Sequence, residues 1–354
     1  MAGVGYSLAS YAVSLDSIIN LPVMGVPVIN YTPETSWEFG AAAQGYFMLP
    51  GQNNTSIVQL DGAYTLKHQW YINASGTIYI GGKLPWQLQY KGGYNNRPTT
   101  YYGIGNQGNT DIGLRRQGTP YHLQRAYANI QTKICVRNDW AVGPLIDFRY
   151  QKTTLTDSLT TYPTSLEWGL GIVAQYDTRD RVYYPTNGLF FKAALTHYEK
   201  ALGSSVRVTW IDVDLRQFVP LPHNFIWAWQ FRTQWALSAG NIPYQMLPYL
   251  GGQDGLRGVT TNMFRDDVLL ALQTELRIPM WSIVRGTVFA GIGDVYDIHH
   301  WQWATPKVSY GVGLRLSINR AKVNIRFDVA RSNVDPRWNT VDAYSFYLTA
   351  TEAF

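Results

Sequence analysis

The sequence predicts an all-β fold, a single closed antiparallel transmembrane β-barrel of about sixteen strands, from three observations. Charged residues make up only 15% of the 354 residues, against roughly 25% in soluble proteins. Aromatic residues reach 14%, with 25 Tyr and 13 Trp. No run approaches the roughly 18 apolar residues of a transmembrane helix. This combination is typical of barrels whose strands alternate lipid-facing and interior residues between two aromatic girdles.

Alternation in the C-terminal half predicts strands long enough to cross a bilayer. Residues 225–237 place mainly aromatic side chains at odd positions and put Arg232 and Gln234 at even positions. Residues 268–278 and 308–318 alternate in the same way. Most such runs are about 10–15 residues long, whereas strands of soluble sandwiches are usually about five or six. Because a transmembrane strand needs about 9–11 residues, membrane-crossing strands are favoured.

Sixteen segments fit this pattern, and together they make the whole chain, 1–354, one barrel domain. Alternation is weakest in the first, second and fifth of them. The predicted strands are 3–15, 21–30, 36–48, 55–71, 76–88, 121–137, 141–153, 164–178, 188–199, 205–219, 224–239, 267–279, 283–296, 307–318, 322–332 and 342–354.

The connections between these strands alternate in length, apart from one near Ala201. The short ones are 31–34, 72–75, 138–140, 179–187, 220–223, 280–282 and 319–321. The long ones are 89–120, 154–163, 240–266, 296–306 and 332–341. Short turns at one end and long loops at the other are typical of bacterial outer-membrane barrels. An even strand count places both termini at the periplasmic end, and the terminal Phe354 resembles the recognition signal of outer-membrane proteins.

Composition argues against several other classes of function. The net charge of +5 comes from scattered basic residues, so nucleic acid is not an expected partner. Cys135 is the only cysteine, which excludes an internal disulfide and a cysteine zinc site. His299 and His300 are neighbours that would point apart on a strand, and neither HExxH nor G-x-S-x-G occurs. We therefore expect no catalytic residue, metal or cofactor, and we expect outer-membrane lipid or lipopolysaccharide around the barrel.

A glycine-rich segment within 240–266 is the most distinctive part of the chain. It holds five glycines from Gly240 to Gly258, with Arg257 among them. A phosphate-binding loop is disfavoured because no GK[ST] sequence and no helix pattern follow. A flexible surface loop is a second interpretation. The third is an extracellular loop that folds into the barrel and places Arg257 against carboxylates.

Leu256-Arg257-Gly258-Val259, which follows Gly251-Gly252, resembles the [VL]RG[FY] motif of the BamA/TamA superfamily, also called the bacterial surface antigen family. These are outer-membrane assembly factors and two-partner secretion transporters. In that family the motif lies in the sixth extracellular loop, between strands eleven and twelve, where the strand count also places Arg257. The resemblance implies a loop-lock motif made by Gly252, Leu256, Arg257 and Gly258.

A second motif joins strands eight and nine. Asp177, Arg179 and Asp180, followed by Pro185 and Gly188, resemble the family's D-x-R-D…P-T-x-G segment. The two aspartates could form a catalytic carboxylate pair, but the arginine between them favours a hydrogen-bonded corner. Further similarities to the family lie at 26–35, 276–279 and 310–315.

The chain departs from the family at the position that usually receives the loop arginine. An aspartate of an F-x-D-x-G pattern on strand thirteen is expected there, and this chain has Gly291. Asp294 lies nearby with opposite parity, so we do not expect it to reach the same place. Val259 also stands where the motif has an aromatic residue.

Arg257 therefore needs another acceptor if it lies inside the barrel, because a buried unpaired charge is costly. Glu275, on the next strand and with inward parity, is the first candidate, and Asp328 is the second. An alternative for Glu275 is an ion pair with Arg277 or Arg285.

Three functions remain open. The resemblance implies an assembly or translocation factor whose first and last strands part towards the bilayer. The family's periplasmic POTRA modules do not precede strand 3–15, so either they were removed or this is a minimal barrel without them. In the second case a separate periplasmic or surface partner protein should deliver the substrate. A structural barrel that anchors a surface complex is a second function. The third is a passive or gated pore for anions, lined by Arg232, Gln234, Arg277, Arg285, Arg315 and Arg326.

Overall fold

The computed structural model describes residues 23–32, 36–49, 55–81, 85–106, 118–137, 139–154, 163–181, 184–252, 255–281, 283–302, 306–317, 324–334 and 344–349. The strands are β1 (Val23–Thr32), β2 (Ser36–Phe47), β3 (Ser56–Thr65), β4 (Trp70–Ile80), β5 (Trp86–Tyr101), β6 (Thr119–Arg137), β7 (Trp140–Thr153), β8 (Thr164–Asp177), β9 (Gly188–Tyr198), β10 (Val208–Pro220), β11 (Ile226–Leu237), β12 (Tyr249–Leu250), β13 (Phe264–Arg265), β14 (Val268–Pro279), β15 (Val284–Tyr296), β16 (Lys307–Ser317), β17 (Asn324–Ser332) and β18 (Ser345–Thr349).

Sixteen of these strands form one antiparallel sheet in which each strand pairs with the next along the chain. The short strands β12 and β13 pair with each other in the connection between β11 and β14. Helical structure in the described part consists of the 3₁₀ turns Lys200–Leu202, Pro222–Asn224 and Tyr244–Met246. No helix among the described residues is long and apolar enough to cross a membrane. The prediction of an all-β antiparallel fold is confirmed.

Side chains alternate across the sheet with a polar interior and an apolar exterior. On β14, Glu275 is fully buried, whereas Leu272 is 43% exposed. On β16, Arg315 is fully buried and its neighbour Leu314 is 43% exposed. Successive strand residues point to opposite faces, so one face collects the charged residues and the other presents aliphatic and aromatic groups. This is the pattern of a barrel wall that faces lipid.

Loops at one mouth meet across the interior. The connection after β5 reaches the one after β15, where Lys307 Nζ donates to the Asn106 carbonyl at 2.6 Å. The Asn106 amide donates to the Gln302 carbonyl at 2.9 Å. Because these connections belong to strands far apart in the sheet order, the sheet is curled around an enclosed interior. β1 and β18 are the two end strands of the described sheet.

Several boundaries predicted near the N-terminus are wrong. The predicted strand 55–71 runs past the end of β3 at Thr65 and into the start of β4. The predicted strand 76–88 corresponds to parts of two strands, β4 and β5, and the predicted turn 72–75 lies inside β4. The predicted loop 89–120 shrinks to 102–118, because β5 continues to Tyr101. Gly92 and Gly93 hide the alternation of β5; a Cβ on Gly93 would lie 2.5 Å from the Ile72 carbonyl oxygen of the paired strand.

These errors leave the position of the glycine-rich loop unchanged. Dividing 76–88 adds one strand, and the predicted strand 3–15 lies outside the described residues, as does Phe354. The loop between β11 and β14 therefore still follows the eleventh strand of the sheet. From β6 onwards most of the long connections lie at the mouth that holds this loop, here called the loop mouth, and most of the short ones lie at the opposite turn mouth. The β8–β9 connection, 178–187, is an exception, because it is longer than the β9–β10 connection, 199–207, at the loop mouth.

Candidate functional site inside the barrel

Glycines allow the connection between β11 and β14, here called the plug loop, to turn back on itself. Gly251, Gly252 and Gly258 have φ angles of 110°, 88° and 91°, in the left-handed region that favours glycine. A Cβ on Gly251 would lie 2.4 Å from the Thr260 carbonyl oxygen. The Gly252 N–H donates to the Val259 carbonyl at 2.9 Å. The tip of the loop is thus a compact turn and not an open coil.

The plug loop has its own apolar core, which packs against the barrel wall. Leu250 and Leu256 are completely buried, and Val259 is 1% exposed. They form one cluster that includes Leu269 of β14 and Val295 of β15. Burying apolar side chains of this size contributes about 1.5–3 kcal/mol each. The inward-folding interpretation therefore describes this loop.

Arg265 fastens the base of the plug loop. Its Nη1 donates to the carbonyls of Tyr244 and Leu247 at 3.1 and 3.0 Å. Its Nη2 donates to Asn262 Oδ1 at 2.6 Å. The carbonyl of Arg265 accepts from the Gly105 N–H of the neighbouring connection at 2.7 Å. The sequence analysis missed this residue, because nothing local separates it from a surface arginine.

Arg257 extends from the tip of the plug loop to the inner wall. Its Nη1 lies 3.0 Å from Glu275 Oε2 and 2.8 Å from Asp328 Oδ2, and all three side chains are fully buried. Its guanidinium lies 3.5 Å from the centre of the Phe289 ring. Glu275 stands eight residues beyond Asp267, about 26 Å along β14. Both acceptors proposed for Arg257 are therefore brought together deep inside the barrel.

Three more arginines share these two carboxylates. Arg277 Nε lies 3.0 Å from Glu275 Oε1, and Arg315 Nη2 lies 2.9 Å from Glu275 Oε2. Arg315 Nη1 and Arg326 Nε lie 2.5 and 3.5 Å from Asp328. We call these six side chains the charge cluster. All six are fully buried, and four cations less two anions leave a formal charge of +2.

The charge cluster changes the predicted lining of the lumen. Arg277, Arg315 and Arg326 were expected to line a pore, but they are fully buried and paired with carboxylates. Arg232 faces Asp212 at 3.9 Å with 29% of its side chain exposed. The partly exposed lining that the structure describes therefore carries both signs of charge, and three of the predicted lining arginines belong to the buried cluster instead.

The two other predicted lining residues also have partners. Gln234 Nε2 donates to Asp212 Oδ1 at 2.9 Å. Arg285 lies over the Tyr184 ring at 5.2 Å. Of the two cations considered as alternatives for Glu275, Arg277 makes the contact and Arg285 stacks on an aromatic ring instead.

The presence of glycine at position 291, where the family has an aspartate, has a steric explanation. A Cβ at this position would lie 2.6 Å from Leu256 Cδ1 of the plug loop, closer than nonbonded atoms approach. The leucine next to Arg257 therefore occupies the space that a side chain would fill. Asp294 lies elsewhere, with its Oδ1 2.7 Å from Lys307 Nζ.

Gly258 connects the plug loop to the last two strands. Its N–H donates to the Tyr347 hydroxyl of β18 at 2.9 Å, and its carbonyl accepts from Ser332 Oγ of β17 at 2.9 Å. A Cβ on Gly258 would lie 3.0 Å from the backbone of Arg331. The sequence analysis missed Tyr347 and Ser332, although the parity of Tyr347, opposite to outward Phe346, was a usable signal.

The turn between β8 and β9 is a hydrogen-bonded corner. Arg179 binds both oxygens of Asp177 at 2.8 Å. Asp180 accepts from the Thr186 N–H at 2.7 Å and from its hydroxyl at 2.6 Å. Gly188 has a φ of 111°, and a Cβ there would lie 2.3 Å from the Thr178 carbonyl oxygen. Both aspartates therefore accept hydrogen bonds from residues of the turn itself, as a structural corner requires.

Residues 51–354 match the Omp85 superfamily domain. The chain belongs to the Omp85 superfamily. Similar solved structures include BamA from Haemophilus ducreyi lacking POTRA domains 1–3, with 14% identity and a TM-score of 0.62 over 92% of this chain and 69% of that chain. CdiB from Acinetobacter baumannii has 13% identity and a TM-score of 0.56 over 88% of this chain and 55% of that one. CdiB from Escherichia coli has 12% identity and a TM-score of 0.58 over 93% and 62%. A comparison with curated protein sequences finds no match.

Acidic side chains surround the base of the plug loop in this Omp85 barrel. Asp266 is 7% exposed, and its Oδ1 accepts from the Asp267 N–H at 3.0 Å. Burial raises the pKa of Asp266 to about 7, and the charges of Asp267, Asp297 and Asp294 act in the same direction. Within the described part of the chain, no three His, Cys, Asp or Glu side chains are placed to hold a metal ion.

Raising the pH is therefore expected to loosen the base of the plug loop. The folded barrel holds the proton of Asp266 up to about pH 7, whereas the unfolded chain releases it near pH 4. The associated stability is present at acidic pH and is lost as the pH rises between these values, by about 1–2 kcal/mol once solvent screening is allowed for. We expect Asp266→Asn to remove this component from urea unfolding midpoints measured at pH 4.5 and 8. Asp139→Asn, at an exposed turn of the other mouth, should leave it unchanged.

Proposed function

We propose that this Omp85 barrel lies in a bacterial outer membrane and assembles or translocates proteins, with the plug loop as its removable closure. The observation that carries the proposal is the placement of Arg257 against Glu275 and Asp328, about 26 Å along β14 from the base of the loop. A loop that only covered a mouth would not need to reach so far into the interior.

The energetics of the charge cluster favour a closure that can be released. Burying charges is expensive unless each one is paired, and within the charge cluster, as far as the described residues show, four arginines share two carboxylates. Withdrawing Arg257 lowers the formal charge of the buried set from +2 to +1, which offsets part of the lost attraction. Apolar packing of Leu256 and its neighbours supplies the rest of the hold.

Contact with β18 links the closure to the edge of the sheet. β18 is the last strand of the described sheet and pairs with β17. The Gly258–Tyr347 hydrogen bond joins the tip of the plug loop to this end strand. Release of the loop therefore removes a support from the strand that a substrate protein would displace. A partner protein at the turn mouth or the cell surface would deliver that substrate, and lipid would surround the barrel wall.

A passive anion pore is disfavoured as the main function. Among the described residues of the open part of the lumen, basic side chains lie beside carboxylates, as Arg232 does beside Asp212 and Arg216 beside Asp214. The most basic region is sealed inside the charge cluster. A pore of this kind would need both the loop and the cluster to be absent from the conduction path.

Site-specific photocrosslinking in living cells tests the proposal. A photoreactive amino acid replaces Phe346, which is outward-facing on β18 and 43% exposed, or Trp168, which is similarly exposed at 41% on the distant β8. If the barrel assembles or translocates proteins, Phe346 should capture other proteins in transit and Trp168 should capture few. Equal capture at both sites, or capture of lipid alone, would contradict the proposed function.

A further inference from the structure

The turn between β8 and β9 enters the lumen from the turn mouth. Tyr184 is only 1% exposed, and Pro185 is also buried. A turn that merely joined two strands at a membrane surface would be exposed, because it carries backbone polar groups that need water. Tyr184 and Pro185 instead point inward from the mouth opposite to the plug loop, while Asp180 and Asn187 of the same turn are exposed.

Arg277 holds the inward end of this turn. Its Nη1 donates to the Pro185 carbonyl at 2.9 Å. The guanidinium lies 5.0 Å from the centre of the Tyr184 ring and 5.5 Å from that of Phe218. Arg277 is fully buried and lies two residues before the end of β14. The turn is thus fixed to the wall by the charged hydrogen bond to Pro185 and by the contact of Tyr184 with Arg277, whereas Phe218 belongs to β10.

The same guanidinium also belongs to the charge cluster. Arg277 Nε donates to Glu275 Oε1 at 3.0 Å, and Glu275 Oε2 accepts from Arg257 Nη1 at 3.0 Å. Three consecutive hydrogen bonds therefore connect the turn at one mouth to the plug loop from the other. All three side chains in this path are fully buried, so water does not screen the coupling.

We propose that the β8–β9 turn is a second closure of the lumen, and that Arg277 is a positioning residue that couples it to the plug loop. Displacing the turn takes the Pro185 carbonyl away from Arg277. A buried guanidinium that loses an acceptor is left with an unsatisfied donor, and it then competes more strongly for its remaining acceptors, of which Glu275 is one. Glu275 is shared with Arg257, so the hold on the plug loop weakens.

The coupling gives the proposed translocation a direction, and it rests on the proposed function for that consequence alone. An extended polypeptide arriving at the turn mouth meets the β8–β9 turn before it reaches the charge cluster. Pushing the turn aside would loosen the plug loop ahead of the arriving chain.

A variant that loosens the turn without touching the charge cluster is available. Asp180 is exposed and binds Thr186 and the Asn187 N–H, so Asp180→Ala frees the turn at its outer side. Asp139→Ala, at the exposed turn of the same mouth between β6 and β7, is the matched control. A Val259→Cys reporter in a Cys135→Ser background detects release of the plug loop, because residue 259 is 1% exposed in the closed barrel.

The test is a double-mutant cycle read by the rate of thiol labelling at residue 259. We expect Asp180→Ala to accelerate labelling about tenfold when Arg277 is present, and less than about twofold in an Arg277→Met background. Asp139→Ala should change neither rate. Arg277→Lys, which keeps the charge but not the guanidinium geometry, replaces Arg277→Met should the latter not fold.

Two outcomes overturn the inference. One is an effect of Asp180→Ala that is equal with and without Arg277, because the turn would then act through another route. The other is no effect of Asp180→Ala on labelling in either background. Neither depends on the capture of substrates at Phe346, so the coupling and the proposed function fail or survive separately.

Discussion

A barrel that lacks residues 241–265 is expected to conduct ions steadily, whereas the intact barrel should stay closed for most of the time. A sixteen-stranded barrel encloses an aqueous lumen when nothing fills it, and here the plug loop fills it with an apolar core and with Arg257. We expect mean conductance in planar bilayers to rise by at least about tenfold on deletion, an order-of-magnitude estimate from the size of such lumens.

A single substitution in the plug loop is expected to raise the conductance less than the deletion does. Arg257→Lys keeps a cation but cannot donate in the same fixed fork, so brief openings are expected where the deletion conducts continuously. Arg207→Lys, at a surface arginine whose side chain is 69% exposed, is the matched control and should leave the barrel closed. If the intact barrel already conducts steadily and deletion changes little, the loop is no closure, and a simple pore becomes the better account of the protein.

Strands that follow a strict two-residue period were predictable in detail. The span 164–178 was expected and β8 is Thr164–Asp177; the span 267–279 was expected and β14 is Val268–Pro279. Alternation failed where small residues face both sides, as at Gly92 and Gly93 of β5. Glycine at such positions allows the backbones of paired strands to approach closely, and the hydropathy pattern does not show where close approach is needed.

Contacts within the site were predictable only to the extent that the odd or even position of a residue along its strand, its parity, shows which face of the sheet it occupies. Parity showed that Glu275 and Asp328 face inwards, and the structure places both against Arg257. Parity does not give the height of a residue in the barrel or its position around the wall. The contact of Pro185 with Arg277 joins residues 92 positions apart, and it follows only from the folded arrangement. The sequence pattern likewise overstated the positive charge of the lumen lining. It does not show which arginines are buried or which of them share a carboxylate.

Glu275→Gln is expected to destabilise the barrel more than any other single isosteric change in the site. Glu275 contacts Arg257, Arg277 and Arg315, all fully buried. Without its charge, Asp328 is the carboxylate that remains in the charge cluster, where it contacts Arg257, Arg315 and Arg326, and the formal charge of the cluster rises from +2 to +3. Removing one partner of a buried ion pair costs about 3–5 kcal/mol, a large share of a typical stability of about 5–15 kcal/mol. The measurement is the urea midpoint in lipid vesicles, followed by tryptophan fluorescence.

Neutralising a partly exposed carboxylate is the control that shows whether the loss of stability comes from the burial of the charge. Asp212→Asn changes a side chain that is 29% exposed and faces Arg232 at 3.9 Å, so a cost below about 1 kcal/mol is expected. Adding Arg257→Met to Glu275→Gln returns the formal charge to +2 and should recover part of the lost stability. Two results would contradict this account: no recovery in the double variant, or equal losses of stability in Glu275→Gln and Asp212→Asn. The buried charges would then not explain the loss of stability, and the apolar core of the plug loop would account for closure by itself.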